Sequence, residues 1–225
     1  MRIAHAGRKA AAWTVAGAVL YASYLLILLT LPYLSFEKNT DFLLTKQLVY
    51  HIDSWRWSFY VHIFSSPVVI LSGLVQLVPA LLYRYPELHR ILGRIYVITV
   101  LLVSGPAALV MSFYANGNAV TKLSFILLSC CWLTFTYIGY RRIRKGNIQQ
   151  HTYFMTRSYA LTLSAVTLRF YAYLLDVFGV SMHPADAYLL LSWTSWIPNL
   201  LVAETLIHRN KNGRGQLLRY RKRTD

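Results

Sequence analysis

Two basic side chains lie inside long apolar runs of the sequence, where charged or titratable groups are uncommon. His62 follows the start of one run at Trp57, and Arg169 lies deep in the stretch from His151 to Asp176. An imidazole in such a place can relay protons near neutral pH or act as an axial ligand of haem iron. A guanidinium inside a membrane is costly, and it indicates a buried partner, trapped water or a ligand with anionic or carbonyl oxygens.

Each of these two residues belongs to a polar stripe, because helix positions three or four apart share a face. One stripe comprises His62, Ser65, Ser66, Ser72, Gly73 and Gln76, and the other comprises His151, Met155, Ser158, Thr162, Arg169, Tyr173 and Asp176. Five helical turns separate His151 from Arg169, about 27 Å along the axis. His62 and Arg169 reach similar depths, about 7 and 13 Å below one surface. We therefore predict that the stripes face each other or one shared cavity.

The leading hypothesis from this pattern is an intramembrane site for haem b or for a quinone-like or anionic amphiphile, with a role of the electron-transfer type. His62 would be a ligand or proton donor, and Arg169 would neutralise acidic or carbonyl oxygens. A six-coordinate haem needs a second histidine at equal depth, and only His51 and His183, in outer loops, could approach. Three alternatives stay open: structural hydrogen bonding by both residues, a small proton-coupled transporter, and a non-catalytic membrane scaffold.

A second group of residues is predicted to gather at the inner edge of the same helices. It comprises His89, His151 and His208 with Glu87 and Glu204. Histidine and carboxylate together suit a transition metal, although helix-end histidines near lipid headgroups are also ordinary. The neighbouring Arg90, Arg94 and Arg157 are predicted to hold phosphate headgroups. The sequence contains no P-loop, nucleophile elbow, HExxH or GxGxxG motif, so it leaves open whether the protein is an enzyme.

The elements that must position these residues are membrane helices. Of 225 residues, 56% are hydrophobic and 14% are charged, against about 25% charged in soluble domains. Apolar length predicts six spans, at Ala10–Leu34, Trp57–Leu82, Ile91–Tyr114, Ala119–Tyr140, Phe154–Phe178 and Ala187–Ile207. No linker divides the chain, which predicts one all-α integral membrane domain over 1–225, with a core at 57–178 and a basic tail at 209–225.

The distribution of basic residues predicts the orientation of the six-span bundle. Seventeen of the 23 Lys and Arg residues lie at the N-terminus, in the second and fourth connections, and in the tail. Lys38, Lys46, Arg56 and Lys122 lie on the other side. By the positive-inside rule both termini are cytoplasmic. The basic residues at this face suit anionic lipid headgroups, and their placement in short loops and the tail argues against a nucleic-acid partner despite the net charge of +15.

Two segments of the chain resemble a known family. PELHRILGRIY, and HTYFMTRSYALTLSAVTLRF some sixty residues later, resemble a bacterial family of predicted membrane proteins, domain-of-unknown-function family 2306, over Phe59 to Leu175. The family's motif positions map to His62, His89, Arg90, Gly93, Arg94, Tyr96, His151, Met155, Arg157, Ser158, Tyr159, Ala160 and Arg169. Thr152 departs from the basic residue expected after His151. The resemblance implies a multi-pass protein of the bacterial cytoplasmic membrane and no established activity.

Overall fold

The structure is a computed structural model that describes residues 2–76 and 84–224, with side chains described for Thr14, 17–76 and 84–211. All regular secondary structure in those residues is helical. The predicted end of the second span at Leu82 and the side chains of most of the basic tail lie outside the described residues.

The α-helices are named here in chain order. They are α1 (Arg2–Thr30), α2 (Asp53–Gln76), α3 (Pro86–Ile98), α4 (Gly105–Ser112), α5 (Ala119–Arg144), α6 (Ile148–Thr162), α7 (Ser164–Val177), α8 (Pro184–Thr194) and α9 (Ile197–Thr224). Short 3-10 helices follow α1 at Leu31–Ser35 and precede α2 at Asp41–Lys46. A π-helical segment, Thr99–Ser104, joins α3 to α4, so the helical stretch is continuous from Pro86 to Ser112.

Five continuous stretches of the described chain are long and apolar enough to cross a membrane. They are Gly17–Ser35, Asp53–Gln76, Pro86–Ser112, Ala119–Arg144 and Ile148–Val177. The prediction of an all-α polytopic membrane bundle is confirmed. The predicted sixth span is divided at Ser195 and Trp196 between α8 and α9. Pro198 has no N–H to give to the preceding turn, so a single helix is interrupted there, and the sixth crossing stays a prediction.

The fifth span contains a break that the sequence analysis did not predict. It consists of α6 and α7, which meet at Leu163. The carbonyl of Ala160 accepts a hydrogen bond from Asn199 Nδ2 at 3.3 Å, an acceptor that a regular helix would offer to the next turn. The predicted continuous face from His151 to Asp176 assumed one uninterrupted helix. The interruption is one residue long, and Ile148–Val177 remains a single stretch of membrane-spanning length.

One end of the bundle, called here the loop end, carries the connections 36–52, 113–118 and 178–183. The first two connections are tied together, because Lys46 Nζ donates to the Tyr114 carbonyl at 2.5 Å and Asn116 Nδ2 donates to Thr45 Oγ1 at 3.0 Å. Six buried side chains form an apolar cluster beneath the loop: Tyr33, Leu43, Trp55, Phe59, Tyr60 and Ile63. The loop therefore closes the bundle end instead of extending freely along an interface.

At the opposite end, α5 and α6 form a tight antiparallel pair. Gly146 has a φ of 72°, which most side chains disfavour, and Asn147 caps α6 by accepting a hydrogen bond from the Gln150 amide at 3.0 Å. Farther along, a side chain at Gly139 would lie only 2.8 Å from Met155 Sδ. Glycine at this position thus allows the two helices to approach closely.

Candidate functional site

A cavity of about 610 Å³ lies in the half of the bundle nearest the loop end. Its wall is mainly apolar and aromatic, with contributions from seven of the helices and from the 36–52 loop. Pockets that hold small molecules usually measure about 300–1,000 Å³ and combine apolar walls with a few polar groups. Both His62 and Arg169 line this cavity, so the two residues singled out by the sequence share one space.

His62 is held by the π-helical segment that precedes α4. Its Nδ1 lies 3.1 Å from both the carbonyl and the hydroxyl oxygen of the buried Ser104. A carbonyl only accepts hydrogen bonds, so this contact favours the tautomer with the proton on Nδ1. Nε2, which makes no hydrogen bond to the described residues, is then an acceptor. The geometry gives the cavity one imidazole nitrogen able to accept a proton or bind a metal.

Arg169 lies on α7, and most of its hydrogen-bonding capacity is unused. Its Nη1 donates to the carbonyl of Ala165 in its own helix at 3.1 Å, and the side chain is otherwise exposed along the cavity. The ion pairs of the described residues do not include Arg169, and Asp176 does not bend back to it. It is close enough to Tyr33 and His62 for electrostatic interaction. A guanidinium has five N–H donors, so several remain for a ligand.

Lys46 is a cavity residue that the sequence analysis did not select. It is only 4% exposed and lines the same cavity from the loop. Besides its hydrogen bond to the Tyr114 carbonyl, its ammonium lies 5.5 Å from the ring centre of Phe42 and 5.9 Å from that of Trp55. Burial, assisted by repulsion from Lys122, lowers the pKa of Lys46 to about 8. The only sequence signal was its position among aromatic residues, which equally suits an interfacial loop.

The deep end of the cavity rests on a buried network of hydroxyl groups. Trp132 and Thr162 line the cavity, and Trp132 Nε1 donates to Thr162 Oγ1 at 3.0 Å. Tyr96 Oη lies 2.7 Å from Ser158 Oγ and 2.8 Å from Thr162 Oγ1. Thr136 Oγ1 lies 2.6 Å from Ser158 Oγ and donates to the Trp132 carbonyl at 2.7 Å. Because each of these polar groups has a hydrogen-bond partner, the network forms the base of the cavity.

The structure places the remaining predicted ligands at the other end of the bundle. His151 Nδ1 donates to the Gly139 carbonyl at 2.9 Å and so joins α6 to α5. His89 lies near His151, and its buried Nδ1 has no hydrogen-bond partner. Gln76 Nε2 donates to the His89 carbonyl at 3.1 Å and packs against Gly93. Neither histidine lines the cavity of His62 and Arg169.

The inner-edge histidines and carboxylates do not form a metal site in the part of the chain that is described. No three histidine, cysteine, aspartate or glutamate residues there are grouped closely enough to hold an ion. Glu204 instead forms an ion pair with Arg157, in which Arg157 Nη2 lies 2.8 Å from Glu204 Oε2. Arg157 is therefore bound to a protein carboxylate, not left for a phosphate headgroup as predicted. Arg90 and Arg94 remain exposed at that end.

The five long apolar stretches of the described residues define the chain as a polytopic α-helical membrane protein. A family model described as "Predicted membrane protein (DUF2306)" matches residues 59–207. The chain belongs to this family, as the two sequence motifs indicated. Neither the search of curated proteins nor the search of solved structures finds a match to the chain.

Proposed function

We propose that the protein binds a quinone-like or anionic amphiphile in the cavity near the loop end. The observation that carries the proposal is that one largely apolar cavity of about 610 Å³ has both His62 and Arg169 in its wall. The apolar wall suits a hydrocarbon chain or ring system, which gains from burial. Arg169 supplies donors for anionic or carbonyl oxygens, and Nε2 of His62 supplies an acceptor for a ligand hydroxyl.

The cavity fits haem b less well than it fits such an amphiphile. A bis-histidine haem needs two imidazoles at one depth, and His62 is the one histidine among the described residues that line the cavity. His51 and His183, which could have supplied a second ligand, are not in its wall. We therefore propose no step through haem.

The orientation of the bundle supports access for the ligand from the outer leaflet. The loop-end connections carry few basic residues, whereas the opposite end carries exposed Arg90 and Arg94. We propose accordingly that the loop end faces outward, that both termini lie in the cytoplasm of a bacterial cell, and that the basic end lies against anionic headgroups.

Binding can be tested with tryptophan fluorescence, because Trp132 lines the deep end of the cavity. The protein, in nanodiscs of unbrominated lipid, is titrated with a long-chain primary alcohol brominated on its chain, since bromine quenches only nearby indoles. We expect saturable quenching that is reduced in Trp132→Phe, in which Trp55 is the tryptophan that remains among the described lining residues. Ala108→Phe, which fills the cavity wall, should abolish it, and the matched Leu102→Phe on the exposed surface should not. Unsaturable quenching that is equal in Ala108→Phe and Leu102→Phe would refute the proposed site.

A further inference from the structure

The cavity contains more positive charge than its protein surroundings compensate. Arg169 and Lys46 both line it, and Asp41 is the single carboxylate among the described lining residues. Neither cation forms an ion pair in the described part of the chain. A buried charge without an ionic partner is strongly unfavourable. The buried ammonium of Lys46, together with the exposed guanidinium of Arg169 in the same cavity wall, therefore indicates a site for an anion.

Lys46 is placed to contact a ligand as well as to hold the loop. An ammonium has three donors, and the Tyr114 carbonyl takes one of them. The aromatic rings of Phe42 and Trp55 attract the cation but accept no conventional hydrogen bond. Two N–H donors of a nearly fully buried group therefore remain available, and the residue borders the cavity from the loop that closes it.

The size of the cavity fits a ligand with a single chain. A water-sized group occupies about 30 Å³ in the liquid, so 610 Å³ holds about twenty such groups. This is enough for a single acyl or isoprenoid chain with a small headgroup. The apolar walls continue to Trp132 at the deep end, which sets the direction of the chain.

From these observations we infer that the ligand is a single-chain amphiphile with an acidic headgroup, a carboxylate or a phosphate monoester, held between Lys46 and Arg169. The inference rests on the proposed binding function and deepens it, because a neutral quinone would leave both cations uncompensated. Lys46 is then the residue that distinguishes acidic from neutral amphiphiles of the same chain length.

The experiment compares three brominated probes with identical chains, a carboxylate, an alkyl phosphate and a primary alcohol, by quenching of Trp132 at neutral pH in zwitterionic nanodiscs. We expect at least one acidic probe to bind about tenfold or more tightly than the alcohol, the fold-change of one charge-assisted hydrogen bond. The carboxylate and phosphate arms tell which acidic group is preferred.

Variants then assign the preference to Lys46. Lys46→Met should lower the affinity for the acidic probes about tenfold more than the affinity for the alcohol, and Lys46→Arg should keep the acidic preference. Lys38→Met is the matched control, because it removes one exposed positive charge from the same loop, and it should have no effect. Saturable binding of the alcohol to the methionine variant also shows that this variant is folded.

Two results would overturn the inference and leave the binding function intact. The first is equal affinity of the wild-type protein for acidic and neutral probes. The second is a Lys46→Met variant that keeps the acidic preference or loses affinity for all probes equally. A wild-type protein that binds none of the probes would instead refute the proposed function together with this inference.

Discussion

Gly73 lies at a position where the neighbouring side chains leave no room for a β-carbon. A β-carbon there would lie 2.4 Å from Cδ2 and Cε2 of Tyr159 and 2.9 Å from Cε2 of Tyr96. Both rings are buried, at 5% and 1% exposure. Tyr159 Oη also donates to the carbonyl of Ile70, a cavity residue, at 3.2 Å. We predict that Gly73→Ala destabilises the bundle and displaces Tyr159 from Ile70.

The magnitude follows from three opposing contributions to the free energy of unfolding. Overpacking costs about 1–3 kcal/mol, and loss of the Tyr159 hydrogen bond costs about 0.5–1.5 kcal/mol. The better helix propensity of alanine offsets about 1 kcal/mol. The net destabilisation is therefore about 2 kcal/mol. The alcohol probe should also bind more weakly, because Ile70 belongs to the cavity wall.

The assay is denaturant-induced unfolding of the protein in mixed micelles, followed by circular dichroism. Gly17→Ala is the matched control, since nothing lies within 4 Å of a β-carbon at that position of α1; helix propensity alone predicts a gain of up to about 1 kcal/mol. If Gly73→Ala unfolds at the same denaturant concentration as the wild type, or gains stability as the control does, the tight contact with Tyr159 is refuted.

Two further predictions concern charged groups. Arg157 and Glu204 form a bidentate ion pair between α6 and α9. A double-mutant cycle with Arg157→Gln and Glu204→Gln should give a coupling energy of about 1–2 kcal/mol. Additive effects of the two substitutions on the free energy of unfolding would show that the pair does not form. The folded-state pKa of Lys46 is lowered to about 8 from 10.5, so the unfolded chain binds this proton more tightly than the folded protein does. The free energy of unfolding should therefore rise between about pH 8 and 10.5, by up to about 3 kcal/mol. Lys46→Met should lack this rise, and a methionine variant with an unchanged pH profile would contradict the burial of the ammonium.

The sequence by itself determined the class of protein and singled out two polar residues that line one cavity in the structure. Long apolar runs have no stable alternative to helices in lipid, because every backbone polar group must be satisfied within the segment. His62 and Arg169 were identifiable for the same reason, since polar groups in such runs are rare and costly. The motifs around His89 and His151 were enough to recognise the family.

Only the tertiary structure decided which of these polar residues meet. Sequence spacing placed His151 and Arg169 on one helical face. The helix is interrupted at Leu163, where Asn199 donates a hydrogen bond to the Ala160 carbonyl, and no local pattern encodes this contact between helices. The pairing of Arg157 with Glu204 and the burial of Lys46 beneath aromatic rings likewise depend on segments far apart in the chain. A side chain's environment in a bundle is set by the neighbouring helices and loops, so the partners of these polar residues were not predictable from the sequence.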